Sequence, residues 1–317
     1  MVKFGVQLWQ EEFDFDGLKK AWREVEEMGY DSAWLYDHFY PMSSQTSRYI
    51  LEPWTLLPSL AAETTSLRLG ILVACNSYRF PSVLAKIAAS VDVMSGGRLE
   101  FGIGAGWYED EYIAYGIPFH DVKTRIEQLA ESVEIVKRIW TQEKASFQGK
   151  YYIINDLISH PKPVQKPHPP IWIGGKSRGL LEIMARHADY ANLASCSVEE
   201  YQVKIDALKR ECLKVGINFE EIEKTWHGTL IIVDKEENLK REVLKVKESS
   251  TNKKTMETGL DEYSNRIIAG TPERCVEKIQ RYVDLGVTYF IPHFPFAQDL
   301  GALRIFMDKI ASRFKRV

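Results

Sequence analysis

Short apolar or β-branched segments alternate along the chain with longer stretches whose apolar positions recur every three to four residues. Eight segments read as strands: Val2 to Leu8, Ser32 to Tyr36, Leu67 to Val73, Leu99 to Ile103, Ile171 to Ile173, Tyr190 to Leu193, Trp226 to Val233 and Thr288 to Pro292. The first four recur at about the thirty-residue spacing of a strand-helix-strand unit. Between strands, Ile126, Leu129, Val133, Val136 and Ile139 form one helical stripe and Tyr201, Ile205, Leu208, Cys212 and Val215 another, both read as core. Gly29 and Gly286 follow helices and precede strands, and Thr271-Pro272 offers an N-cap followed by proline at the first helical position. Eight strands alternating with helices predict an α/β fold, a closed parallel (β/α)8 or TIM barrel. An open doubly wound sheet is the rival, and strand count disfavours it. Two stretches exceed the bare barrel: residues 145–170, with five prolines from Pro161 onward, and the polar 247–268. Long connections are often functional, so both are expected to wall a substrate pocket. Residues 1–317 are expected to form one domain carrying these two insertions.

Composition narrows the function. The 41 Lys+Arg and 44 Asp+Glu give a net charge of −3, which lacks the basic footprint of a nucleic-acid binder. The longest strongly apolar run, Ile71 to Cys75, is far short of the roughly 20 residues that span a bilayer. Met1-Val2-Lys3 leads straight into the first strand without a signal-peptide pattern, so a cytosolic location is expected. Four scattered cysteines read as reduced thiols, and seven isolated histidines show no metal-ligand spacing. No Gly-x-Ser-x-Gly elbow occurs, which lowers the case for a hydrolase nucleophile.

A barrel builds its active site from the residues just past the C-terminal ends of its strands. That rule nominates Trp9 and Gln10, Asp37 and His38, Ala74-Cys75-Asn76, Gly104-Ala105-Gly106-Trp107, Gly174-Gly175-Lys176-Ser177, and His293. His38 is the most chemically loaded, because an imidazole exchanges protons near neutral pH, and Asp37 beside it can accept a hydrogen bond. A rim histidine satisfied by backbone is the alternative. Gly102-Ile103-Gly104-Ala105-Gly106 is a weak dinucleotide signal after a fourth strand; it reads either as a close approach for a flat ring or as a tight turn with close helix packing. Gly174 to Gly179 runs from a strand into a helix start whose N–H groups, beside Lys176, Ser177 and Arg178, suit a phosphate; a plain capped turn is the alternative.

Several segments together carry a resemblance: Gly29 to His38, Leu67 to Gly70, Arg79 to Lys86, Ser95 to Leu99, Gly102 to Tyr108, Pro161 to Gln165, Pro170 to Gly175 and Gly270 to Glu273. In these the chain resembles the luciferase-like monooxygenase superfamily over essentially its whole length, and most of all the oxidoreductases that depend on the deazaflavin coenzyme F420. The resemblance implies a bacterial luciferase-like barrel with the flavin ring at the C-terminal strand ends. It implies Asp37 and His38 beside the ring, and a strained backbone bulge between Leu72 and Asn76, with Leu72, Val73 and Asn76 supporting its face. Gly104, Ala105, Gly106 and Trp107 would lie along the ring, and Gly174, Gly175, Lys176, Ser177 and Gly179 at the phosphate. Trp107 stands where several deazaflavin enzymes of the family carry a proton-donating glutamate, leaving His38 as the leading donor and Glu109 or Glu111 as substitutes. Related FMN monooxygenases tend to show a His-His pair at Asp37-His38 and an arginine at Ala105, so both positions favour the deazaflavin. The resemblance thus implies hydride transfer between F420 and a small organic substrate, either an alcohol/carbonyl pair or an activated double bond. An FMN-dependent two-component monooxygenase and a non-catalytic flavin-binding protein are the alternatives, and a homodimer is the expected assembly.

Overall fold

A computed structural model describes residues 1–43, 49–296, 298 and 300–314. In chain order the strands and helices are β1 (Lys3–Gln7), α1 (Phe15–Glu27), β2 (Ser32–Leu35), α2 (Pro53–Ala61), β3 (Arg68–Cys75), α3 (Pro81–Met94), β4 (Leu99–Gly104), α4 (Glu109–Ala114) and α5 (Val122–Thr141). They continue with β5 (Ala145–Gln148), β6 (Ile153–Leu157), β7 (Ile171–Gly174), α6 (Arg178–His187), β8 (Tyr190–Ala194), α7 (Val198–Val215) and β9 (Glu223–Ile232). The last are α8 (Leu239–Ser249), α9 (Lys253–Glu257), α10 (Leu260–Arg266), β10 (Ile268–Gly270), α11 (Pro272–Asp284), β11 (Val287–His293) and α12 (Gly301–Ile305).

The parallel strands β1-β2-β3-β4-β7-β8-β9-β11 close on themselves, because β8 pairs with β9 and β11 returns to β1. Each overlaps the apolar segment that announced it, and β10 adds a short ninth strand on the far end of β9. The helices start and stop where local chemistry dictates. Asp14 caps α1 by accepting from the Gly17 N–H, Ser197 and Glu200 form a capping box on α7, and α7 ends at Gly216 in the left-handed region. Pro272 occupies the first position of α11 as expected, although the Thr271 side chain makes no cap bond.

Two cores result. The larger lies between barrel and helices and takes in both helical stripes, with Leu129, Val133, Tyr201 and Leu208 fully buried. The smaller fills the barrel interior with Trp34, Leu72, Trp172, Tyr289 and Ile291. Below it, buried Glu100 accepts from the Trp172 indole at 2.6 Å and from Arg68. The interior is therefore plugged at its N-terminal end among the described residues, and the chambers open at the C-terminal mouth.

The two insertions go to different places. Residues 145–157 form the antiparallel hairpin β5–β6, docked on the outside of α5 where Glu131 accepts the backbone N–H groups of Lys150, Tyr151 and Tyr152. The following coil binds near the barrel's N-terminal end through Gln165, which contacts Asp92 and Arg68. This insertion is not a pocket wall, contrary to expectation. The second insertion, from the end of α8 through α9 and α10, does face the mouth. Among the described residues, no helix is long and apolar enough to cross a membrane, and no cluster of His, Cys, Asp and Glu could hold a metal ion.

Candidate active site at the barrel mouth

Two contiguous chambers open at the C-terminal strand ends. The inner has a volume of about 410 Å³ and the outer about 590 Å³, and they share Trp9, Met42, Trp107, Gly175, Ala194 and Ser195. Both fall in the size range of small-molecule and cofactor sites, roughly 300–1,000 Å³.

The floor of the inner chamber is an irregularity in β3. Its register against β4 shifts between Ile71 and Ala74, and the Leu72–Val73 peptide is cis. The expected bulge is present, held from below by Gln7, whose Nε2 donates to the Leu72 carbonyl at 2.8 Å. The bulge turns Val73 sideways toward β4 and β7, where glycines receive it. A Cβ on Gly104 would stand 2.8 Å from Val73 Cγ2, and one on Gly174 2.9 Å from the same atom. The missing side chains of Gly104 and Gly174 thus serve the bulge first. Gly106, two residues past the end of β4, has φ 75°, and a Cβ there would overlap the Tyr112 hydroxyl.

His38 and Asp37 lie on the wall of the inner chamber, but they are not partners. The Asp37 carboxylate is committed to a bidentate pair with Arg79, at 2.8 and 3.0 Å, and to the Cys75 N–H at 2.8 Å. Burial pushes this carboxyl up, opposed by Arg79 and the Cys75 N–H. Asp37 fastens the end of the bulge and does not orient His38, which corrects the sequence expectation. The orienting group is Glu111, fully buried on α4, whose Oε2 stands 2.9 Å from His38 Nδ1. The same carboxylate accepts from the Phe39 N–H at 2.8 Å, the Tyr40 N–H at 2.9 Å and the Tyr78 hydroxyl. Burial acts to raise Glu111, yet the contacts with His38, Tyr78 and Tyr40 hold it below the ordinary carboxyl range. A carboxylate offers no proton, so Nδ1 carries the hydrogen and Nε2 is the nitrogen free to exchange one with a ligand. Glu111 is therefore a holder of His38 and not a substitute donor, and Glu109 is exposed at the start of α4.

The remaining expected residues divide. Leu72, Val73, Gly104, Ala105, Gly106, Trp107, Gly174 and Gly175 all line the inner chamber, with Trp107 about half exposed between the two chambers. Lys176 lies on the outer chamber, its Nζ 3.2 Å from the Ser195 carbonyl and 4.0 Å from Glu200. Asn76 is buried behind the wall, Ser177 sits at the N-cap of α6 without making a cap bond, and Gly179 faces Ile126 of α5, so none of the three lines either chamber.

Sequence reasoning passed over Gln7, Asn192 and His227, all on the inner wall. Gln7 Oε1 accepts from the Trp9 indole at 2.9 Å and lies 2.9 Å from His227 Nε2, tying β1 to β9. Burial, with His293 nearby, pushes His227 down to about 3, so it is a neutral hydrogen-bonding group. These residues are the last of a strand or lie inside one, whereas the strand-end rule takes only residues beyond it; inward parity along β1, β8 and β9 is the signal that finds them. Burial also pushes the Cys75 thiol up to about 12, leaving it unreactive.

Residues 1–289 match the family model of the luciferase-like monooxygenases. An F420-dependent glucose-6-phosphate dehydrogenase of Microbacterium testaceum is 26% identical, covering 99% of this chain and 98% of its own. An FMNH(2)-dependent dimethylsulfone monooxygenase of Pseudomonas putida is 29% identical over 65% of this chain and 58% of its own. Among solved structures, an F420-dependent secondary alcohol dehydrogenase in complex with an F420-acetone adduct superposes with a TM-score of 0.86 at 17% identity, covering 98% of both chains. The matched residues take in every strand of the closed barrel except the end of β11, and with it the whole mouth apart from its last strand end: the chain belongs to the luciferase-like monooxygenase family.

Proposed function

We propose that the protein is an F420-dependent oxidoreductase that transfers a hydride between the deazaflavin and a small alcohol or its carbonyl partner. The observation that carries this reading is His38, aimed into the inner chamber with Nδ1 fixed by a buried carboxylate and Nε2 free. The residues present fit a flat ring. The floor from Leu72 to Cys75 is uncharged, Gly104 and Gly174 let it lie low, and Gln7, Asn192 and His227 supply polar groups at its margin. Asp37, Leu72, Val73 and residues 104–107 would hold the ring, and Gly174 to Gly179 with Lys176 the phosphate, at the uncapped first turn of α6. Asn76 would act from behind the wall.

When bound, the deazaflavin supplies a ring carbon that exchanges hydride. His38 Nε2 takes the hydroxyl proton as an alcohol is oxidised, and returns one to the oxygen when a carbonyl is reduced. Glu111 keeps Nδ1 protonated throughout and stabilises the charged ring that results. Trp9, Trp107 and Tyr36 surround the site with aromatic surface that limits water.

Side-by-side titration with oxidised F420 and FMN tests the cofactor. F420 is expected to bind the more tightly and to be reduced by a secondary alcohol. Preference for FMN, with oxygen consumption driven by reduced FMN, would establish the monooxygenase alternative, while tight F420 binding without turnover across a broad panel would leave a flavin-binding protein.

The same reading takes the chain as one domain, cytosolic and homodimeric. The pairing of β1 with β11 supports a single unit, and exposed Phe80, Val83 and Met94 around α3 offer apolar surface for a second copy. Light scattering coupled to size exclusion is expected to give twice the mass of the chain; a monomer mass would remove the dimer.

A further inference from the structure

The outer chamber contains a group that the proposed chemistry does not use. His293, the last residue of β11, lies on its wall and is only 4% exposed. Its ring stacks on Trp9 with centroids 3.7 Å apart and planes 8° from parallel. Neither ring nitrogen meets a hydrogen-bond partner among the described residues. A buried polar group left this way is destabilising, and a ligand's hydrogen bond would remove that cost. Beside it is the Glu12 side chain, 3% exposed, whose Oε1 accepts from the Phe296 N–H at 3.0 Å and stands 3.7 Å from His293 Nε2. That separation is too long for a hydrogen bond.

His293 and Glu12 both line the outer chamber, and an imidazole nitrogen beside a carboxylate oxygen matches a hydroxyl, which accepts from one and donates to the other. They do not match a phosphoryl group. Glu12 is the one carboxylate among the chamber's described lining residues, and it repels an anion at this point. Of the lining cations, Arg266 is already held by Glu200 at 3.1 Å and Glu262 at 2.8 Å, and Lys176 leans on the Ser195 carbonyl. Lys254 stands at the exposed rim. The opposite wall, from α8 to α10, presents Ser250, Asn252, Thr255 and Thr258.

We propose that Glu12 and His293 anchor a second hydroxyl of the substrate, which makes that substrate a polyhydroxylated alcohol, or its carbonyl partner, whose anchored end carries no phosphoryl group. The proposal rests on the alcohol/carbonyl reading above for the reacting end. His38 belongs to the inner chamber and His293 to the outer, and Trp9 and Trp107 are common to both, so the anchored hydroxyl lies several bonds from the reacting carbon.

Two measurements test it. In cofactor-free protein labelled with ¹⁵N-histidine, His293 resonances, assigned by their loss in His293→Phe, are followed against glucitol, 2-hexanol and inorganic phosphate. Movement with glucitol alone is expected; no movement with glucitol, or equal movement with 2-hexanol or phosphate, overturns the anchor. In F420-loaded enzyme, a six-carbon polyol is expected to exceed 2-hexanol in kcat/KM by roughly 10- to 100-fold, the ratio that one buried hydrogen-bonding site supports. His293→Phe, which keeps the stack on Trp9, is expected to abolish that preference through KM, and His293→Gln to restore part of it. A preference that survives His293→Phe overturns the proposal. If neither alcohol reduces the deazaflavin, the alcohol/carbonyl reading fails, and the resonance experiment still decides the anchor.

Discussion

His38 and Glu111 are separated by 73 positions in the chain and by 2.9 Å in space. The strand-end rule located the histidine because its signal is local, a titratable side chain just after β2. No spacing pattern can announce its partner, and the adjacent Asp37 was the obvious candidate until the fold showed it bound to Arg79. The division of labour has measurable consequences. His38→Ala should lower turnover by roughly 10²- to 10⁴-fold, the usual contribution of a positioned acid or base, with F420 affinity retained. Glu111→Gln keeps the shape but can turn its NH₂ toward Nδ1, releasing the tautomer that leaves Nε2 free; turnover should fall by at least about 10-fold. Full turnover in His38→Ala would remove the imidazole from the reaction, and in Glu111→Gln would reduce the carboxylate to a packing role.

Strands were legible because each carries its own apolar signal, independent of its neighbours. A register shift belongs to two strands at once, so the β3 bulge could be expected only through the family resemblance. The glycines of β4 and β7 were visible, but their purpose was not: Gly104 and Gly174 make room for Val73, a relation between three strands. The β5–β6 hairpin also escaped notice, because short strands that are mostly exposed have weak periodicity. Gly174→Ala tests the element. Its Cβ would fall 2.9 and 3.0 Å from the two γ-carbons of Val73, and a β-branched side chain in a packed bulge cannot swing away. A loss of about 1–3 kcal/mol is expected by chemical denaturation, together with weaker F420 binding as the floor shifts. Gly259→Ala, where a Cβ meets nothing within 4 Å, is the control. Equal behaviour of the two variants would show that the bulge does not need this space.

Closure of the barrel joins the two ends of the chain, since β1 pairs with both β2 and β11, and it buries groups whose titration then bears on the stability of the whole. His227 at the mouth and His187 at the end of α6 are both pushed down by burial, to about 3 and about 4. An unfolded histidine titrates near 6.5. Below that pH the unfolded chain binds protons that the folded chain refuses, so the folded state loses stability as the pH falls. The loss begins near pH 6.5 and, for each histidine, approaches about 1.4 kcal/mol per pH unit until its folded value is reached. Glu26, held at about 2 by the backbone N–H groups of Ser66, Leu67 and Thr65 against the effect of burial, adds to the loss only below its ordinary 4.5. Between pH 6.5 and 4.5 the two histidines therefore act ahead of that carboxylate. The melting temperature should fall across this interval, and His187→Gln, which removes one group remote from the mouth, should make the fall shallower. A fall that is no shallower in His187→Gln than in the unchanged protein would show that the His187 imidazole titrates normally in the folded barrel.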